Sequence, residues 1–310
     1  MLGRSPLMRH ARNRMLFPGL NLDPGATHSI AGKLSYGRGV NFGEGCNLIV
    51  PTGAVLQVGD DCYIGRHVEL GPLGTIEIGS RTSIQDRSVL LGDIVLGRYC
   101  VVAYNAYISS GNHSFRHAPH FLIRDQDREV SANRDSSSDY SRPIIVGEDC
   151  WLGVNTVIMP GITIGRGCVV GANAVVTHDL PPYSIAAGSP ARVINQRLKF
   201  APPVSLNWQD PLHIPYFYCG FEIADDERLK NRALEGHVAQ GRFAVWLAGG
   251  SELHVRARSI GSDGCVVTCN GQQMRLSTEW DEYLFPIRGN EGPVWFDADR
   301  PLAVREAWIA

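Results

Sequence analysis

The chain has 310 residues, 44% of them hydrophobic and 19% charged, enough for one large domain or two ordinary ones. Its formal net charge of −2 removes the electrostatic ground for expecting a nucleic-acid partner. No stretch approaches the roughly 20 consecutive apolar residues that a membrane-spanning helix requires.

The first segment, residues 1–25, is basic (Arg4, Arg9, His10, Arg12, Arg14) and lacks the continuous apolar core of a signal peptide. It reads as a partly ordered leader. The alternative is a short amphipathic helix making peripheral contact with a membrane surface or a neighbouring subunit.

A period of six then runs from residue 26 to residue 198. Val146, Leu152, Ile158, Ile164, Val170 and Val176 are six apart and all aliphatic, with Gly147, Gly153, Gly165 and Gly171 directly following four of them. An earlier run, Ile78, Ile84, Leu90, Leu96, Val102 and Ile108, keeps the same step. Two shorter runs precede it, Val58–Ile64–Leu70 and Ile30–Tyr36–Phe42–Leu48. The phase slips at Pro51-Thr52-Gly53 and Pro72-Leu73-Gly74 read as turn insertions. An even period keeps the aliphatic residues on one side of a strand, whereas six residues do not return to one face of an α-helix. Each hexad is therefore a short strand plus a turn. A lone hexad cannot bury its aliphatic residue; stacked coils of three hexads can. The expected fold is all-β, a parallel β-helix. Five of the eight cysteines (Cys46, Cys62, Cys100, Cys150, Cys168) fall at one repeat position, four residues after a stop of the period, which suits a small buried thiol. Cys265 and Cys269 have no second pair beside them, so no zinc site is expected, and a reduced cytoplasmic protein is the default.

The hexads stop after Ile108 and resume at Val146, 38 residues later, so residues 109–143 form a protruding loop. A long irregular loop in a compact repeat marks function or disorder. His113 stands just beyond the last strand before it, where rigid backbone can hold an imidazole that titrates near neutrality. His117 and His120 lie further into the loop. No Gly-x-Ser-x-Gly is present and the cysteines are accounted for by packing, so no covalent nucleophile is expected. Asp86 and Asp93, one or two coils earlier, are candidates for orienting the imidazole.

Residues 199–240 are rich in proline and aromatics at first (Pro202, Pro203, Trp208, Pro211, Pro215, Tyr216, Phe217, Tyr218) and read as a linker or strap on the helix, with a short helix over 225–237. Residues 241–310 alternate in short runs at 243–247, 253–257, 265–268, 282–285 and 294–296, which predicts a small antiparallel β-sandwich-like domain. Trp246, Trp280, Trp295 and Trp308 are either its core or platforms for sugar rings.

Three segments carry a resemblance to a known family: IIVGEDCWLG over 144–153, PGITIG over 160–165 and PPYSIAAGSPARVI over 181–194. They resemble the hexapeptide-repeat acyltransferases, and within them the galactoside/maltose and polysaccharide O-acetyltransferase branch, most closely over residues 90–198. The resemblance implies a left-handed coil, which the period alone does not show and which opposes the usual crossover hand. It implies acetyl-CoA as acyl donor, a saccharide hydroxyl as acceptor, His113 as catalytic base, and direct transfer. It also implies a homotrimer whose CoA groove runs along the last coils between subunits. Carried over residue by residue, that groove takes Trp151, Val154, Ala172, Thr177, His178 and Arg192. The family often has Lys where this chain has His178 and a basic residue where it has Asn195, so Arg197 or Lys199 are alternative phosphate contacts. An amino-sugar N-acetyltransferase is the runner-up. A zinc carbonic-anhydrase-type enzyme needs three histidines from neighbouring coils, and the phased coils offer only His67 and His178. A non-catalytic carbohydrate-binding scaffold is the third reading.

Overall fold

The computed structural model describes residues 13, 15–116, 118–132, 141–222, 235–287 and 292–310. The basic residues of the leader, His117 and most of the helix expected over 225–237 lie outside these residues; strand begins at His237. The chain divides into two units, Met1–Lys199 and Phe200–Ala310. Among the described residues no helix is long and apolar enough to cross a membrane.

The first unit is a parallel β-helix with three strand faces. One face reads Asn21, Asn41, Tyr63, Ser83, Val101, Trp151, Val169, Ile185 in lateral register. The next residue of each rung (Leu22, Phe42, Ile64, Ile84, Val102, Leu152, Val170, Ala186) is buried. That is the six-residue step seen in space: an even period sends every aliphatic stop inward, and the column fills the prism. Each fully buried Leu, Ile or Val contributes roughly 1.5–3 kcal/mol by leaving water.

The coils are unequal. Tyr63 follows Asn41 by 22 residues, Val101 follows Ser83 by 18, and Val169 follows Trp151 by 18. Trp151 follows Val101 by 50, so the loop inserts 32 residues into a coil that otherwise closes normally. The expected turn insertions at 51–53 and 72–74 fall in the longer N-terminal coils.

The corners explain the small residues. Cys62, Cys100, Cys150 and Cys168 stack in one interior column, with Thr82 between the first two and Ser184 after the last; Cys46 belongs to a second column with Ser88 and Thr156. Their thiols donate to carbonyls of the next coil: Cys46 to Gly65 at 2.9 Å, Cys62 to Gly79 at 3.2 Å, Cys100 to Gly147 at 3.1 Å, Cys150 to Gly165 at 3.2 Å and Cys168 to Pro181 at 3.0 Å. The turn of each coil also needs a residue at positive φ. At one corner Asn105, Asn155 and Asn173 take it, at 59°, 58° and 60°. Asparagine tolerates the left-handed region because its side chain bonds locally. Here the amides also join into a ladder, Asn105 to Asn155 at 3.2 Å and Asn155 to Asn173 at 2.9 Å.

The second unit is antiparallel, as expected, and its strands cover the runs read from the sequence. Hydrogen bonding passes through all nine strands as a single sheet around one core. Ser259 N–H also donates to Ser277 O across its open side. The aromatic segment is not a separate strap. Ser205–Asn207 pairs with Leu302–Ile309, and Phe200 packs against Tyr216, Tyr218 and Trp246, so Phe200–Phe221 is built into this unit. The rings find aromatic partners there, which composition alone does not reveal.

Candidate active site on the protruding arm

Strand Tyr107–Ser109 is the last rung before the loop and lies between Val89–Leu96 and Val157–Ile158. The chain then leaves the helix and returns at Ser141, where Gly111 and Ser141 form an antiparallel bridge. This excursion, here called the arm, contains the helix Ile123–Ala132, which the sequence reading did not anticipate. Gln126, buried, stitches the helix to the preceding turn. Its amide oxygen accepts from Ala118 N–H at 3.1 Å and its nitrogen donates to Phe121 O at 3.1 Å.

His113 lies just beyond the bridge and is 78% exposed. Its Nδ1 is 2.8 Å from Asp127 Oδ2. The other oxygen of Asp127 accepts the backbone N–H of Ser114 at 2.7 Å, so one carboxylate fixes both the ring and the peptide that follows it. The Ser114 N–H, then the imidazole, hold Asp127 below the usual carboxylate range. A carboxylate only accepts, so Nδ1 carries a proton, and in the neutral ring the lone pair then sits on Nε2. Such an arrangement can serve as an oriented base.

The carboxylates expected to orient His113 do other work. Asp86 sits at the corner before strand Val89–Leu96, across the face from the arm. It accepts Arg66 N–H at 2.9 Å and Arg66 Nε at 2.9 Å. The Arg66 backbone N–H and then its guanidinium hold Asp86 below the usual carboxylate range, against the opposing effect of burial. Asp93 lies on the arm's side, but its Oδ1 accepts Gly74 and Thr75 N–H, both at 2.8 Å, and its Oδ2 accepts Ser141 Oγ–H at 2.9 Å. Asp127 was missed because it sits in a charged stretch with no period to single it out; only closure of the arm brings it to His113. His120 packs on Phe121, with ring centroids 4.5 Å apart.

The groove candidates fall on the two edges of one face. Tyr107, Val157 and Val175 lie side by side on its outside. At the arm's edge, Thr177 and His178 occupy the turn two coils beyond the arm's departure, joined by Thr177 Oγ1 to His178 Nδ1 at 2.8 Å. At the other edge Val154 and Ala172 stack, with Asn173 N–H donating to Val154 O at 2.8 Å. Arg192 joins this edge: it pairs with Ala187, next to Gly171, and the preceding Ala191 N–H donates to Val175 O. Trp151, 54% exposed, is around the corner on the adjoining face. Arg192 bonds only its neighbour's carbonyl, Ala191 O at 3.0 Å, and has no carboxylate partner among the described residues. Arg197, by contrast, is engaged by Asp149 at 3.1 Å and Gly167 O at 2.9 Å. His67 lies in the asparagine-ladder corner and His178 at the next corner, so the coils do not juxtapose them. Among the described residues no group of three His, Cys, Asp or Glu is arranged to hold a metal.

Four tryptophans of the second unit, Trp246, Trp280, Trp295 and Trp308, each meet a ring or guanidinium within it. Arg305 and Arg258 lie over Trp280 at 4.3 and 5.3 Å, and Arg242 lies over Trp295 at 4.7 Å. His254 stacks on Trp308 at 5.2 Å, and Trp246 meets Phe200 edge-on. Each of these four rings therefore has a packing partner, and Trp295 keeps 37% of its surface exposed.

A parallel β-helix built of hexads is the repeat of the hexapeptide acyltransferases, and the matching family model and the acetyltransferase relatives both support that family for this chain. Residues 143–178 match the family model described as the hexapeptide repeat of succinyl-transferase. A protein of Mycobacterium tuberculosis named a probable acetyltransferase is 33% identical over 183 residues, 59% of this chain and 50% of its own length. The galactoside O-acetyltransferase of Escherichia coli is 34% identical over 146 residues, 45% of this chain and 63% of its own. The chloramphenicol acetyltransferase of Agrobacterium fabrum is 35% identical over 112 residues, 34% of this chain and 52% of its own. The chain thus spans one half to under two thirds of the length of these curated relatives. Among solved structures, the polySia-specific acetyltransferase NeuO is 19% identical and covers 69% of this chain and 97% of its own, with a TM-score of 0.39.

Proposed function

We propose that this protein transfers an acetyl group from acetyl-CoA to a hydroxyl of a saccharide or polysaccharide unit, with His113 as general base. The observation that carries the reading is the His113–Asp127 pair at the root of the arm. Asp127 keeps the proton on Nδ1, which leaves Nε2 to take the acceptor hydroxyl's proton. The oxygen then attacks the thioester carbonyl. The tetrahedral intermediate collapses, the C–S bond breaks, and the imidazolium returns its proton from Nε2 to the leaving CoA sulfur. No covalent enzyme intermediate is needed.

Acetyl-CoA fits the edge formed by Trp151, Val154, Ala172 and Arg192, where an exposed ring, small residues and an unpaired guanidinium lie together, with Thr177 and His178 across the face. Such a guanidinium suits a phosphate. Three chains are proposed to associate along the helix, since Tyr63, Val101 and Trp151 leave apolar surface exposed on one face. A cytoplasmic setting agrees with eight cysteines that are all free thiols. The second unit is assigned to acceptor selection. The relative named a galactoside O-acetyltransferase supports a hydroxyl acceptor.

The test is an acceptor screen with acetyl-CoA, covering hydroxyl- and amino-sugars and reading CoA-thiol release. Turnover on hydroxyl acceptors, lost in His113→Ala and kept in His117→Ala and His120→Ala, supports the reading. Turnover confined to amino sugars moves the protein to N-acetylation. Absence of CoA binding leaves a scaffold.

A further inference from the structure

Both members of the catalytic pair belong to the arm, together with the Ser114 peptide that Asp127 holds. The pair's internal geometry is therefore set within the arm. Its position over the helix must be set elsewhere, and the residues available are those where the arm leaves and returns.

Three side chains close a ring there. Asp93 N–H donates to Ser110 Oγ at 2.7 Å. Ser110 Oγ and Ser141 Oγ are 2.7 Å apart, and Ser141 Oγ lies 2.9 Å from Asp93 Oδ2. The direction is forced: the carboxylate only accepts, so Ser141 donates to Asp93, and Ser110 donates to Ser141. Every hydroxyl in the ring both gives and receives one bond. Ser110 is fully buried, and Arg142 N–H donates to its carbonyl at 3.0 Å. The remaining oxygen of Asp93 is anchored to the coil below through Gly74 and Thr75 N–H. Gly92 completes the fit. Its φ is 97°, and a side-chain carbon there would come within 2.1 Å of Ser110 Oγ.

We propose that Asp93, Ser110 and Ser141 are positioning residues, a clasp that fixes where the arm holds His113 relative to the acetyl-CoA face. This rests on the reading of His113 as the base. The clasp touches no reacting group. It acts through the arm's two ends, and a displacement of about 1 Å in a reacting group can cost on the order of 10²-fold in rate.

The experiment uses the full chain and the series Ser141→Ala, Ser141→Cys and Ser141→Thr, with His113→Ala alongside. Ser141 is half-buried, so its replacement leaves the helix core intact, and thermal unfolding checks this. The expected result for Ser141→Ala is a kcat lower by roughly tenfold or more. Its KM for acetyl-CoA and the apparent pKa of its pH–rate profile should match wild type, because groove and pair are untouched. Threonine keeps the hydroxyl and should restore most of kcat, and cysteine should fall between. Wild-type kcat in Ser141→Ala overturns the proposal. So does a shifted pH profile, which would mean that the pair itself is disturbed, and so does failure of threonine to rescue. If His113→Ala keeps wild-type kcat, the reading of the base fails and the clasp proposal falls with it. If His113→Ala is inactive while Ser141→Ala is normal, only the clasp fails.

Discussion

His113 Nδ1 and Asp127 Oδ2 stand 2.8 Å apart on one arm, 14 residues from each other in sequence. The contact gives the imidazole one tautomer and one orientation before any acceptor arrives.

Asp127→Asn should lower kcat, because one of the two oxygens that hold His113 and Ser114 becomes a donor NH2 and the neutral amide no longer favours the imidazolium of the transition state. The loss should be smaller than the roughly 10²–10⁴-fold expected for His113→Ala, which removes the base itself. Acetyl-CoA affinity should be unchanged in both. Steady-state kinetics with both substrates varied decides this; a fully active Asp127→Asn enzyme would show that the contact is ornamental.

The carboxyl of Asp127 is held below its ordinary value of 3.8 by Ser114 N–H and His113. A lowered folded-state pKa means that the pair's contribution is present above the ordinary carboxylate range and is lost as pH falls through the lowered value. The Ser114 amide reports the same carboxylate. Its NMR shift should therefore titrate with an inflection under 3.8. An inflection at or above that value, with the arm folded, counts against the contact.

The helix was legible in the sequence because its physics is periodic. Ile158 and Val176 are buried for the reason that spaces them by whole six-residue steps, and His113 was singled out because the period stops beside it. Asp127 was not legible. Its pairing depends on the helix Ile123–Ala132 folding back, and that segment carries Asp125, Asp127 and Glu129 with nothing local to rank them. Asp93 was singled out as a partner for His113, but its neighbours are backbone amides and Ser141, which no sequence spacing announces. The same holds for the aromatic segment after Phe200, whose partner Trp246 lies in another part of the chain.

Asn155 unites two demands, a φ of 58° and both neighbours of the amide ladder. Asn155→Ala meets neither. The left-handed conformation costs a residue with a Cβ about 1–2 kcal/mol, and each lost hydrogen bond about 0.5–1.5 more. Asn155→Gly accepts the backbone and loses only the ladder. Urea unfolding should rank stability as wild type, then glycine, then alanine, and an alanine variant as stable as the glycine one would remove the conformational part of this account.

The corner thiols should be silent in the native protein. Burial raises the Cys46, Cys265 and Cys269 thiols to about 11, and raises Cys62 and Cys150 too; Cys168 is raised by its hydrogen bond with Cys150 and by burial. Thiolates are the reactive form, so at pH 8 an aromatic disulfide reagent should titrate Cys219, the one cysteine that is not buried, and reach all eight only in denaturant. Rapid labelling of several thiols without denaturant would mean that the coils open.

The helix pairs Val101 with Trp151 and Tyr107 with Val157 as though nothing intervened, although 32 additional residues lie between the two coils. The arm is thus an interchangeable cassette. Its ends meet at Gly111 and Ser141, its chemistry travels with it, and the coils on either side keep their own hydrogen bonds. Arms of different length and composition can be carried by one unchanged frame, because the coils on either side pair without them. Conversely, grafting residues 110–142 onto another hexad frame should transplant His113 and Asp127 as a pair, provided the recipient supplies the aspartate and the glycine that receive the arm's ends.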